Sequence, residues 1–144
     1  DASSFATQAA ERNFALNFNK NIHKSITGDA FKEMSKMKKE GRLFEMVILD
    51  PPSFAHNKSQ VEGALNAYQK LTRFGLDLLA PKGILVQASC SSRVDSEDFF
   101  NTVHQAAQQV GRPLNEIERS SHALDHPIGF KEGEYLKCLF AVAP

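Results

Sequence analysis

Two places in this 144-residue chain carry residue types that can make or break bonds. The first is Asp50-Pro51-Pro52-Ser53-Phe54, where an acid and two prolines cut off the apolar run 44–49. The second is Ser89-Cys90-Ser91-Ser92, which closes the apolar run 84–88. An acid at the carboxyl end of a strand faces the crevice in which open α/β sheets hold ligands. Two prolines supply no N–H and a fixed φ, so the ladder stops and a rigid backbone loop follows. With Phe54 close by, that loop suits a flat substrate. A cysteine among serines just past a strand lies near solvent, and its thiolate is a nucleophile. Arg93 and the helix start beyond it favour the charged form. The plainer alternatives are a Pro-rich turn at Asp50 and a small packing residue at Cys90. If the two strands are neighbours, the acid and the thiol open on one crevice.

The elements that must position these groups follow from hydrophobic spacing. The run 44–49 is apolar almost throughout, which predicts a central parallel strand with helices on both faces. Before it, Ser3 or Ser4 caps a helix to about Asn17, with Phe5, Ala6, Ala9, Ala10 and Leu16 on its inner face. A short strand is expected over 23–27, leading to Gly28-Asp29. A helix over 30–39 follows, burying Phe31 and Met34, and Gly41 stops it. After the polar loop 55–60 comes a long helix from Val61, its stripe running to Leu78 and Leu79. Pro81-Lys82-Gly83 turns the chain into the strand 84–88. Asp95 or Ser96 then caps a helix whose inner face is Phe99, Phe100, Val103, Ala107 and Val110. Strands are expected over 114–118 and 135–142, antiparallel for want of a crossover helix. The fold class is therefore α/β, a mostly parallel sheet with an antiparallel C-terminal strand. Cys138, mid-strand between Leu136 and Phe140, reads as a core residue.

Bulk properties exclude several classes. The apolar fraction of 42% and charged fraction of 24% are those of an ordinary globular domain. Lys plus Arg and Asp plus Glu are 17 each, so a general electrostatic grip on nucleic acid is not expected. The basic run Lys36, Lys38, Lys39 and Arg42 reads as a solvated helix end, or else as a local phosphate contact. No apolar run is long enough for a membrane span, and the chain opens without a signal peptide. Two cysteines in different contexts point to reduced thiols and a cytoplasmic setting. His122 and His126 are spaced i, i+4 but lack further ligands, so no metal is expected. Neither a Gly-rich dinucleotide loop nor a P-loop is present. An α/β domain seldom opens on a helix, so residues 1–144 are expected to be a partial domain whose first strands lie upstream.

Taken in order, Asp1, Gly28-Asp29-Ala30, Asp50-Pro51-Pro52-Ser53-Phe54 and Ser89-Cys90-Ser91 resemble the motifs of class I S-adenosylmethionine-dependent methyltransferases. Nearly the whole chain resembles the later two-thirds of that Rossmann-like catalytic domain. With Asp125-His126-Pro127-Ile128 and Glu132-Gly133-Glu134-Tyr135-Leu136-Lys137, it is most similar to the cytosine-5 methyltransferases of large-subunit ribosomal RNA that carry a PUA domain. The resemblance implies roles. Asp1 would hold the ribose of S-adenosyl-L-methionine, Asp29 and Ala30 its adenine, and Asp50 with Pro51 the mouth shared by methionine moiety and base. Cys90 would be the nucleophile, with Pro52 and Phe54 facing the substrate base. Many RNA cytosine-5 methyltransferases place a second cysteine after the proline of the Asp50 motif; Ser53-Phe54 stands there instead, as in the resembled family, leaving the proton-removing base unassigned. The partner would be ribosomal RNA, and a homodimer could complete the sheet edge. Two other readings remain: methylation of a base amino nitrogen, or a non-enzymatic nucleotide-binding or assembly module.

Overall fold

The computed structural model describes residues 1–17, 23–130 and 133–144. It divides into two compact units, Asp1–Glu40 and Gly41–Pro144.

The first unit contains α1 (Ser4–Asn17) and α2 (Ala30–Lys39). Ser3 caps α1, its Oγ accepting from the Ala6 N–H at 3.2 Å. The expected inner face of α1 is not a core face: Phe5 is 75% and Leu16 82% exposed, and only Thr7 is buried. Thr7 instead shares a hydrogen bond with Thr27 Oγ1 at 2.7 Å. No strand forms over 23–27. A strand needs a ladder, and the described pairing here is a single rung. The Asp1 nitrogen donates to the Ile26 carbonyl at 3.1 Å, and the Gly28 N–H donates to the Asp1 carbonyl at 2.9 Å. That pattern is one step of a parallel ladder, and it sets Asp1 beside Gly28-Asp29. Helix α2 has the expected bounds, with Asp29 as N-cap. Phe31 and Met34 are half-buried where burial was expected, since the described unit puts little over that face. Gly41, at φ +66°, ends the segment in the left-handed region that favours glycine.

The second unit is a sheet with two helices on one face. Its elements are β1 (Phe44–Leu49), α3 (Val61–Leu78), β2 (Leu79–Ser89), α4 (Ser96–Gln109), β3 (Asn115–Ser120) and β4 (Lys137–Val142). The sheet order is β1-β2-β4-β3. β1 runs parallel to β2, and β4 is antiparallel to both of its neighbours. Three strands thus run one way and one the other, as the fold class predicts. Side chains alternate across each strand, so Leu49, Gln87 and Leu139 share a face in register. All three are buried, on the side where α3 packs.

α3 approaches that face closely at Gly75. A Cβ there would stand 2.8 Å from Leu49 Cδ1 and 3.2 Å from Leu85 Cδ1. The core continues through a chain of ring contacts. Phe54, Tyr68, Phe99 and Phe100 follow one another at centroid spacings of 5.0, 5.1 and 5.4 Å. The buried rings of Tyr68, Phe99 and Phe100 each contribute roughly 1.5–3 kcal/mol from area alone. Arg112 closes the far end of the unit by donating to the carbonyls of Leu76, Leu79, Ala80 and Pro144.

Four expectations need correction. β1 lies at the edge of the described sheet, and one face is open, with Met46 50% and Ile48 66% exposed. Continuous apolarity reports suitability for two-sided burial; helices cover one side here. The turn at Pro81-Lys82-Gly83 lies inside β2, which begins at Leu79 and pairs irregularly before Ile84. Lys82 takes φ 63° and donates its N–H to the Ala143 carbonyl at 2.8 Å, so the residue just past β4 supports the kink. Val110 is 41% exposed because α4 ends at Gln109. Cys138 is half-buried, not core, because its face of β4 is the one without α3. No described helix is long and apolar enough to cross a membrane.

Candidate active site

β1 and β2 are adjacent and parallel, so their carboxyl ends deliver two loops to one edge. Asp50 follows the last residue of β1 and is exposed. Cys90 follows the last residue of β2 and is half-buried. Its Sγ lies 3.9 Å from the Pro51 carbonyl oxygen, in donating geometry. The thiol therefore faces the Asp50-Pro51-Pro52 backbone rather than the hydrophobic interior.

What holds the two loops together is a set of hydroxyls beneath them. Tyr68 Oη lies 2.8 Å from Ser89 Oγ and 3.0 Å from Ser91 Oγ. Ser91 Oγ lies 3.1 Å from Ser53 Oγ and accepts the Phe54 N–H at 3.1 Å. Ser53 Oγ donates to the Ala55 carbonyl at 3.2 Å. Each hydroxyl owns one hydrogen, which fixes the direction of the chain. Ser53 spends its proton on Ala55, so Ser91 must donate to Ser53. Tyr68 must then donate to Ser91, and Ser89 to Tyr68. Ser89 in turn accepts the Ser91 N–H at 3.3 Å. The relay is complete, and among the described residues no buried side-chain polar atom lacks a partner. Burial pushes the Tyr68 phenol up, while the Ser89 and Ser91 hydrogen bonds pull it down.

Lys137 locks the same turn from the other side. It pairs with Ser89 across β2 and β4 and is 3% exposed. Its Nζ donates to the carbonyls of Ser91 at 2.7 Å, Val94 at 2.6 Å and Tyr135 at 3.4 Å. Burial pushes its ammonium down; the charges of Asp95 and Cys90 pull it back up. Asp95 caps α4 by accepting the Glu97 N–H at 2.9 Å. Sequence reasoning gave Lys137 no role beyond its place in the tail motif, since a lysine in a strand expected over 135–142 reads as solvated. Its place between Leu136 and Cys138 in an apolar run was the available signal.

The remaining expected residues fall as follows. Pro51 is half-buried and Pro52 exposed on the loop; Phe54 is half-buried, its ring tilted 58° against Tyr68. In the first unit, Asp1 Oδ1 accepts the Ser3 N–H at 2.7 Å, and Asp29 Oδ1 accepts the Lys32 N–H at 2.9 Å. Among the described residues no donor stands on the second carboxyl oxygen of either acid. Ala30 is the first helical residue after that cap, where a backbone N–H has no partner inside the helix.

Cys138 contrasts with Cys90. It pairs with Ala88 on β2 and Ser120 on β3. Burial pushes its thiol up, and the Asp50 charge adds to that. The two histidines are stacked, not arranged round a metal: the His122 and His126 centroids are 4.6 Å apart at 13°. His122 Nε2 accepts the N–H groups of Tyr135 and Leu136 at 3.2 and 3.1 Å. Among the described residues no His/Cys/Asp/Glu group could hold a metal ion. Glu132 of the tail motif lies outside the described residues.

No protein-family model matches the chain. It is 45% identical over 141 residues to a ribosomal RNA large subunit methyltransferase of Deinococcus radiodurans, covering 97% of this chain and 35% of that protein. It is 41% identical over 144 residues to ribosomal RNA large subunit methyltransferase I of Shewanella frigidimarina, covering 98% and 36%. The chain thus spans about a third of the length of these curated relatives. Among solved structures, it superposes with a TM-score of 0.84 on a protein described as a methyltransferase complexed with SAH, at 20% identity, over 99% of this chain and 37% of that one. A protein of Streptococcus mutans described as SAM-dependent gives 0.84 at 17% identity, over 99% and 37%. At such identities the likeness shows the fold, a Rossmann-like methyltransferase sheet.

Proposed function

We propose that this chain forms part of the catalytic domain of an S-adenosylmethionine-dependent RNA methyltransferase, which makes 5-methylcytosine in large-subunit ribosomal RNA through a covalent adduct at Cys90. The observation that carries the reading is the Cys90 sulfur turned to the Pro51 carbonyl, 3.9 Å away, at the common edge of two neighbouring strands. The names of the Deinococcus and Shewanella relatives support ribosomal RNA as the substrate class.

The donor set of the first unit fits the cofactor. An adenine edge offers an amino donor beside a ring-nitrogen acceptor. The second Asp29 oxygen and the Ala30 N–H offer the complement, and the second Asp1 oxygen can accept from a ribose hydroxyl. Asp50 and Pro51 would take the methionine end and the base. When bound, S-adenosyl-L-methionine supplies an electrophilic methyl group.

The chain's own residues explain the rest. Cytosine C5 is a poor nucleophile. The Cys90 thiolate forms a bond to C6, and the electrons of the C5–C6 double bond make C5 nucleophilic. Asp50, as an acid near N3, stabilises the charge that develops there. After methylation, loss of the C5 proton re-forms the double bond and expels Cys90 as thiolate. Ser53 is committed to the relay and does not serve as that base. Pro52 and Phe54 face the base, Phe54 with the part of its ring that Tyr68 leaves open.

The test is RNA carrying 5-fluorocytosine, incubated with the whole protein and cofactor. The C5 proton is replaced by fluorine, so Cys90 cannot leave and a covalent complex is expected on a denaturing gel. Absence of that complex, or undiminished methylation by Cys90→Ser, would remove the reading.

A further inference from the structure

The relay and the sheet explain where Cys90 sits. They do not explain why a charged group is buried behind it. Lys137 is 3% exposed, and its donors reach three backbone carbonyls, those of Ser91, Val94 and Tyr135. Among the described residues no ion pair includes it, and the Asp95 charge acts on it only from beyond contact. Burying an ammonium without an anion in contact with it is costly; a methionine of similar volume would fill the site more cheaply. A fold that keeps the ammonium has a use for its charge or its donors.

Position shows the use. Two of the three bonds go to the turn that starts immediately after the cysteine, at Ser91 and Val94. The Val94 N–H also bonds the Ser91 carbonyl at 3.2 Å, so one oxygen serves the turn and the ammonium together. A thiolate gains from a nearby cation, which is why reactive cysteines sit in electropositive surroundings. The other charged and titratable groups here are Asp95 at the α4 cap, exposed Asp50 on the facing loop, whose charge opposes that of Lys137, exposed Arg93, and buried Tyr68. Arg93 points the same way as Lys137 electrostatically, but it is exposed and screened.

We infer that Lys137 is a positioning residue for Cys90: its ammonium pins the 91–94 turn and holds a positive charge beside the nucleophile's own backbone. The inference rests on Cys90 acting as the nucleophile, as proposed above. Its test does not need methyl transfer.

The experiment is alkylation of the native protein by iodoacetamide over a range of pH, following the Cys90 and Cys138 peptides separately by mass spectrometry. Lys137→Met should slow Cys90 alkylation at neutral pH by about tenfold and move its profile to higher pH. Lys137→Arg should restore most of the rate, and the Cys138 peptide should keep its wild-type rate in both. A Lys137→Met protein with the wild-type melting profile and an unchanged Cys90 rate overturns the inference. If the Met variant does not fold, Lys137→Gln removes the charge while keeping donors, and the same comparison applies. The wild type offers a further check. If its Cys90 reacts no faster at neutral pH than a free peptide of residues 88–92, the inference fails whatever the variants do. A whole protein whose Cys90 reactivity depends on Lys137 but which forms no adduct with 5-fluorocytosine RNA would remove the 5-methylcytosine reading and leave the effect of Lys137 on the Cys90 thiol in place.

Discussion

Cys90 and Cys138 belong to two neighbouring strands of one sheet, the first just past the end of β2 and the second inside β4, yet their surroundings are opposite. Cys90 stands past the end of β2 on a turn gripped from below by Ser91 and from the side by Lys137. Cys138 stands within β4, held by ladder pairing to Ala88 and Ser120. Neither thiol differs chemically from the other. The local backbone decides: a turn held by side-chain donors can aim a sulfur at an edge, whereas a strand can only aim it at a face. Electrostatics separates them too, since an ammonium stands behind Cys90 and the Asp50 acid faces Cys138.

The largest expected effect breaks the comparison outright. Cys90→Ser should lower methyl transfer by several orders of magnitude, because a hydroxyl at neutral pH does not add to C6. Cys138→Ser should change the rate by no more than about threefold, since it removes only a strand side chain. Radiolabel transfer to RNA measures both, and equal losses would mean that the two sites share a role.

A middle-sized effect tests the grip itself. Tyr68→Phe removes the hydroxyl that receives from Ser89 and gives to Ser91. The Ser89 proton then has no acceptor and Ser91 loses one of its donors, at a cost of about 1–3 kcal/mol. Urea unfolding should show the loss, and methyl transfer should fall with it, since Ser91 carries both loops. A variant as stable as the wild type would mean that the relay is not what joins them.

The smallest effect is in pH. Burial raises the Cys138 thiol and the Tyr68 phenol above their ordinary values of 9.0 and 10.0. The folded state keeps those protons longer than the unfolded chain. Their contribution to stability is therefore complete below the ordinary values and lost as pH rises through the raised ones. Cys138→Ser should give a shallower fall in Tm across the alkaline range than the wild type; parallel curves would contradict this. The acid side runs in the opposite sense at Glu116. The Arg119 hydrogen bond, chiefly, holds its carboxyl low, so that contribution is lost as pH falls through the lowered value. Being a surface pair, it adds little.

Much of this architecture was legible in local residue order. Helix Ala30–Lys39, strand Phe44–Leu49 and the Asp95 cap all sit where spacing and capping chemistry predict them. The Asp50 and Cys90 loops were legible too, because prolines and serines end apolar runs. The parts that escaped depend on distant partners. Tyr68 reads as one more apolar position of a helix, and its hydroxyl gains meaning only when Ser89 and Ser91 arrive 21 and 23 residues later. Lys137 reads as surface until three carbonyls close round it. The segment 23–27 carries strand-like residues, but pairing, not propensity, makes a strand.

Gly75 has a consequence for alignment. Leu49, which its missing methyl lets α3 approach, is the residue immediately before Asp50. The height of the acid above the sheet is thus governed by a clearance on the opposite side, between a helix and a leucine. A residue that contributes no atoms of its own to the rim acts as a spacer for the strand that ends in Asp50.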